Sequence, residues 1–286
     1  MKVYLESKIN EKKILLKQML LLIPFLLYGI YKNGILLYKN GYVNIFNSFK
    51  PLLLILISFL ISYVFSKYKK EDFISYRLYL NLLSGLIVMP NTNIFIYLII
   101  LFLVNILYTY KKVNISLITI LLLILIAIIF HKYTFLNVYE TSVSHSYSII
   151  NYLFGSGEGG ISNTLFIYSI LLLVYLLCNF FYKKHISTTA LITYYILLSL
   201  YFALSKSFDH NLAINSNLIF SFVILNTVSI FSPYTKGGQY IYGFLLGVFT
   251  FAFSFIDINI GIYLVSLILS FASPYFDKFI LKISSK

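Results

Sequence analysis

Long apolar runs separated by short polar knots dominate the chain. Residues 14–31 are apolar apart from Lys17 and Gln18, and 52–65, 94–107, 115–130 and 165–181 are nearly uninterrupted. Further runs cover 192–204, 218–230, 240–256 and 258–271. None alternates apolar with polar residues as the strands of an outer-membrane barrel do. A bilayer core about 30 Å thick takes roughly 20 apolar residues per helix, fewer where flanking side chains snorkel. A shorter stretch, 78–90, contains Asn81, Ser84 and Gly85, and Pro90 with the following Asn-Thr-Asn should break it. The run at 218–230 is short in the same way. Pro51 suits the first turn of the second span, and Asp257 marks a tight turn between the last two. The pattern predicts an all-α polytopic membrane protein with about ten transmembrane helices.

Charge orients these spans. With a cytoplasmic N-terminus, 17 of the 22 Lys and Arg residues fall on the inner side. They sit in the arm 1–17, in 66–77, at 111–112 and 183–184, at Lys236 and in the tail. Lys32, Lys39, Lys50, Lys132 and Lys206 fall outside. That asymmetry satisfies the positive-inside rule and places the C-terminus in the cytoplasm as well. The net charge of +13 therefore requires no nucleic acid. The basic N-terminus precedes an apolar run long enough to span, with no small-residue cleavage site, so it reads as an uncleaved first helix.

The two halves repeat each other. NLLSGLIVMPNTNIF at 81–95 and NLIFSFVILNTVSIF at 217–231 share their first and last residue pairs, with an Asn-Thr near the same depth. Ten spans divide into five plus five, and an odd number per half makes the repeat inverted. Paired short segments in the two halves point to a midplane site. Asn91 and Thr92 in one half, with Asn226 and Thr227 in the other, are the candidates to line it. The expected organisation is an arm at 1–17, a first half at 18–130, an extracytoplasmic loop at 131–162 and a second half at 163–286.

Composition limits the chemistry. Hydrophobic residues make up 60% and charged residues 11%, with a mean hydropathy of +0.88. The excess of Ile, Lys, Asn, Tyr and Phe fits a base-composition bias of the genome whatever the function. Every Asp and Glu falls in a loop, a tail or a helix end, which disfavours a standalone ion antiporter. Asn81, Asn105, Asn217 and Asn226 suit hydrogen bonds between helices. His131, Glu140, His145 and Glu158 have no metal-ligand spacing, and the lone Cys178 excludes an intrachain disulfide. Gly155, Gly157, Gly159 and Gly160 stand just before a span. A run of this kind frees backbone N–H groups to face an anion, with a helix dipole behind them.

Three segments resemble the D subunit of the Rnf electron-transport complex and its relative, the B subunit of the sodium-pumping NADH:quinone reductase. SPYTKGGQYIYG at 232–243 resembles the family's SPVTPRGRLIYG loop, keeping Ser232, Pro233, Thr235, Gly238, Ile241, Tyr242 and Gly243. GSGEGGIS at 155–162 resembles its glycine-rich GSIGETS segment. LLSGLIVMPNTNIFIYLI at 82–99 resembles its third-to-fourth-span signature. The resemblance implies a ten-helix inverted repeat similar to urea-transporter folds, carrying FMN esterified to a threonine on the outer side. The threonine's Ser-Gly-Ala-Thr-like motif has no counterpart in YETSVSHSYSIINYLFG, where the closest register puts Ser144 or Tyr147 at the threonine's place and Ser144 has a hydroxyl in the right region. The family's Ala-Thr-Asp-Pro is Asn226-Thr227-Val228-Ser229, without the carboxylate.

The expected function is therefore that of a multi-pass subunit in the bacterial cytoplasmic membrane. It would relay electrons through an outer-face flavin, FMN or riboflavin held noncovalently, in a translocase complex with other Rnf-like subunits. The alternative is a non-redox channel or carrier for a small neutral solute, built on the same inverted fold.

Overall fold

A computed structural model describes residues 8–90, 92–111, 113–129, 161, 165–178, 182–206, 210–228 and 230–284, and among these it contains helices and no strands. Five helical stretches are long and apolar enough to cross a bilayer: Lys12–Lys39 (α1), Lys50–Lys69 (α2), Ile94–Lys111 (α4), Lys184–Ser205 (α7) and Lys236–Ser284. Shorter apolar helices complete the set: Tyr76–Ile87 (α3), Ile115–Ile129 (α5), Phe166–Leu177 (α6) and Ser216–Val223 (α8). The outer surface is itself apolar. Leu60, Ile99, Leu171, Leu200 and Phe244 are all exposed, a pattern that suits hydrocarbon and not water.

The stretch Lys236–Ser284 is two helices. Asp257 has extended backbone (φ −160°, ψ 114°), and its Oδ1 accepts from the N–H groups of Asn259 at 2.8 Å and Ile260 at 3.0 Å. It thus caps a helix start. The chain then reverses. A Cβ at Gly261 would meet Phe253, and one at Gly237 would meet Ile280. The arms 236–256 (α9) and 258–284 (α10) therefore lie antiparallel, as the turn expected at Asp257 requires.

Local chemistry sets the other boundaries. Pro51 sits in the first turn of α2, and Lys70, left-handed at φ 53°, ends it. Asn93 caps α4 through Phe95 N–H at 2.9 Å, and Asn215 caps α8 through Leu218 N–H at 3.0 Å. The helix α3 stops after 12 residues. Pro90 excludes helical backbone at Met89, and Val88 is already extended at ψ 146°. The helix α8 is shorter still and ends in a 3₁₀ turn, Leu225–Thr227. Nearly every residue of both interrupted helices is buried.

Helices α7 and α9 cross closely through small residues. A Cβ at Gly247 would lie 2.7 Å from the Ala190 carbonyl oxygen; one at Gly243 would lie 2.7 Å from that of Ile186 and strike Thr189 Oγ1. The spacing is the small-xxx-small pattern of membrane helix pairs. Gly243→Val is expected to cost about 1–3 kcal/mol through overpacking, read as a lower thermal midpoint in detergent. An unchanged midpoint would separate these two helices.

One expectation is corrected here. The charge pattern puts Lys32 outside the membrane, beyond the end of the first span. Instead the first helix continues to Lys39 through a π-helical stretch, Tyr31–Leu36, in which Lys32 and Asn33 are 2% and 3% exposed. The apolar pattern resumes at Ile35-Leu36-Leu37, and the wider π turn accommodates the polar pair without ending the helix.

Candidate functional site

The interrupted ends of α3 and α8 are the places where backbone polar groups lack helical partners inside an apolar protein. Each is satisfied from a segment flanking α6. At the end of α3, the Ile161 N–H donates to the Val88 carbonyl at 2.9 Å. The Ile161 carbonyl in turn accepts from Asn33 Nδ2 at 2.7 Å. At the end of α8, Tyr182 OH donates to the Val223 carbonyl at 2.7 Å, and Ser187 Oγ to that of Phe222 at 2.8 Å.

The α3 end carries the more reactive polarity. Ile161 directly follows the run Gly155–Gly160 in the chain and is itself completely buried. Asn33, which holds it, has an Oδ1 that is buried and accepts no hydrogen bond from the protein. Lys32 is buried beside it in the same π turn. Lys32 lies within the helical stretch Lys12–Lys39, which is long and apolar enough to cross a bilayer. A buried ionisable residue in a spanning helix is a candidate for function. Gly34 completes the turn, because the Ser48 carbonyl oxygen occupies the place a Cβ would need.

The buried asparagines are engaged with one another. Asn81 and Asn105 exchange amide hydrogen bonds at 3.0 and 2.8 Å, and Asn81 also donates to Ser62 Oγ at 2.7 Å. Arg77, 1% exposed, joins this group through Asn105 and pairs with Glu71 at 3.0 Å. Its guanidinium stacks on Tyr108 at 4.8 Å and Phe65 at 5.4 Å. Asn217 of α8 donates to Asn259 of α10 at 2.9 Å and accepts from Tyr263 OH at 2.7 Å.

The sequence-derived candidates fall as follows. Asn226 is buried at the 3₁₀ turn, donating to Ser221 Oγ at 3.1 Å and Ser266 Oγ at 2.9 Å and accepting from Tyr242 OH at 2.9 Å. Thr227 Oγ1 donates to the Val223 carbonyl at 2.9 Å. Thr92 is half-buried, its N–H bonded to the Met89 carbonyl at 3.1 Å. Asn91, Ser144, Gly155, Gly157, Gly159 and Gly160 lie outside the described residues. The structure thus brings Thr227 and Asn226 to one broken end and leaves Thr92 near the other. Sequence reasoning missed Lys32, Asn33, Ile161 and Tyr182. The resumption of apolar residues after Gly34 was the one available signal for the first two.

Gln18 of α1, Tyr79 of α3, Leu172 of α6 and Thr227 line a cavity of about 20 Å³. That is room for about one water. The first turns of α3 thus stand beside the last turn of α8.

On the loop 230–235, Lys183 Nζ donates to the Ser232 carbonyl at 2.7 Å and to Ser232 Oγ at 2.9 Å, and lies 4.3 Å from the Tyr234 ring centroid. Asp277 binds the other side of the loop, accepting from the N–H groups of Tyr234 and Thr235, each at 2.9 Å. Lys183 precedes α7, and burial lowers its pKa to about 7 from 10.5, with Asp277 pulling the other way. Between those values the unfolded chain binds more protons than the folded one, so this residue makes stability rise with pH there and stay level below. Thermal midpoints of wild type and Lys183→Met should differ in slope across pH 7 to 10 in that sense. Parallel curves would show the lysine charged throughout.

Among the described residues, no group of three His, Cys, Asp or Glu could hold a metal. No curated protein matches the chain. The model of the NQR2, RnfD, RnfE family matches residues 124–285, from the end of α5 through α10. That region contains Ile161, the Ser232–Gly243 loop and the second interrupted helix, and it is more than half of the sequence. This multi-pass membrane chain belongs to the NQR2, RnfD, RnfE family, whose members are subunits of Rnf- and Nqr-type electron-transport complexes.

Proposed function

We propose that the chain is the subunit of an Rnf-type ion-translocating complex that relays electrons through a flavin held at the outer, interrupted end of α3. The observation that carries this reading is the anchoring of Ile161. The residue that closes the glycine run is fixed to the end of α3 and to the π turn holding Lys32 and Asn33. A glycine run that ends at this anchored residue, with a buried lysine in the π turn, suits a phosphate, and the open Asn33 Oδ1 suits an N–H donor.

These residues fit FMN, which when bound would supply one- and two-electron transfer. The chain's own contribution is positional and electrostatic. Lys32 would offset the phosphate charge, and Asn33 holds Ile161 while presenting an acceptor. Ser144 remains the nearest hydroxyl to the family's acceptor position, and without that motif the flavin is held noncovalently. Other subunits in the cell membrane supply the donor and acceptor.

The same reading includes ten spans as two inverted halves with both termini cytoplasmic. Its support is the pair of buried, interrupted helices, with the start of α3 beside the end of α8. The neutral-solute alternative has less support, because Asn81, Asn105, Asn217 and Asn226 are engaged with protein partners. Gentle isolation should yield protein with visible flavin absorbance that moves to the supernatant on acid precipitation. Flavin staying in the pellet would overturn the noncovalent assignment, and its absence after gentle isolation would overturn the redox role.

A further inference from the structure

The C-terminal ends of α2 and α4 lie side by side, so these helices run parallel, and a groove of about 370 Å³ opens between them. Its floor is apolar: Phe65 and Phe102 form a ring pair at 5.2 Å, flanked by Ile106. Its mouth is different. Tyr68 and Tyr110, 76% and 80% exposed, stand with Lys69 at the rim, and Lys69 Nζ lies 5.3 Å from the Tyr68 ring centroid. Lys67, Lys70 and Lys111 end the same two helices.

We infer that this groove is a binding site for one anionic phospholipid, with an acyl chain on the Phe65–Phe102 floor and the phosphate at Lys69 and the tyrosine hydroxyls. Three features select that occupant. The groove faces outward from the bundle at a helix end, where tyrosine and lysine side chains reach headgroup level. Four lysines on two adjacent helix ends attract an anionic headgroup, each contributing about 1 kcal/mol of attraction near a membrane surface. The floor is also preformed. The Arg77 guanidinium stacks behind Phe65 at 5.4 Å and donates to Thr109 Oγ1 in the groove wall at 3.4 Å, so the wall is tied to a buried hydrogen-bonded group and does not depend on lipid for its shape. A volume of this size lies within the range of small-molecule pockets. This inference is independent of the flavin assignment.

The test is native mass spectrometry of the detergent-purified protein with added phosphatidylglycerol or phosphatidylcholine of matched acyl chains. Wild type should retain phosphatidylglycerol in preference, at one molecule per chain. Lys69→Gln and Lys111→Gln should each weaken it about fivefold. Ile106→Trp should abolish it by filling the floor with all lysines present, and Val64→Trp serves the same purpose should the first variant not fold. Lys278→Gln, on α10, should leave retention unchanged. Equal retention of the two lipids, or full phosphatidylglycerol binding in a folded groove-filled variant, would overturn the site. So would displacement by inorganic phosphate alone, which would indicate a headgroup contact without the acyl groove.

Discussion

Replacing Arg77 with alanine is expected to lower stability by about 3 kcal/mol or more, the low end of the range for breaking a buried pair. Its side chain is 1% exposed while that of Glu71 is 39% exposed, so the ion pair itself is partly screened and contributes the smaller share. The larger share is the loss of the contacts by which one guanidinium of α3 holds α2 and α4. Asn105 and Thr109 of α4 accept from it, and Phe65 of α2 and Tyr108 of α4 stack on it. Lysine should not substitute, because an ammonium lacks the planar fork that reaches Glu71 and Asn105 together. Both variants should lose thermal stability in detergent, while Glu71→Gln should lose less than either. A small effect of Arg77→Ala with a large one of Glu71→Gln would invert this ranking and make the ion pair dominant.

The second large effect concerns ligand retention. Lys32→Gln should weaken FMN binding about 10- to 100-fold, the equivalent of one lost charge-assisted hydrogen bond of about 1.5–3 kcal/mol. Lys32→Arg should retain most of the affinity. Asn33→Leu should also weaken binding, because it removes both the open acceptor and the bond to Ile161. Fluorescence quenching of added FMN gives the affinity, and riboflavin, lacking the phosphate, should respond less to Lys32→Gln than FMN does. Equal losses for the two flavins would remove Lys32 from the phosphate site.

Much of the architecture was legible because its signals are local. Pro90 ends α3, Asp257 turns the chain between α9 and α10, and Lys70 and Lys111 stand at helix ends, each as the residue type dictates. The short second interrupted helix was visible as well, since Asn226-Thr227 interrupts an apolar run. What was not legible depends on partners distant in sequence. Lys32 reads as a loop lysine, because Lys32-Asn33-Gly34 breaks the apolar pattern as a helix end would, and only the return to Ile35-Leu36-Leu37 points to a continuing helix. Only its burial, and the contact between Asn33 and a residue 128 positions away, place it in the interior. Likewise Tyr182 reads as one aromatic among many in a tyrosine-rich chain, and its hydrogen bond to Val223 spans 41 residues. Asn81 and Asn105 could be named as polar residues in apolar runs, yet their mutual pairing could not be read from spacing alone.

The central claim is that a flavin phosphate binds where Ile161, the residue that closes the glycine run in the chain, meets the end of α3. Hydrogen–deuterium exchange of the purified protein, with and without FMN, tests it most directly. The account predicts slower exchange in peptides spanning 155–161, 84–90 and 28–36 on FMN addition, with no change in α2 or α9. Binding of FMN with protection confined to other segments, or with none in these three, would contradict it.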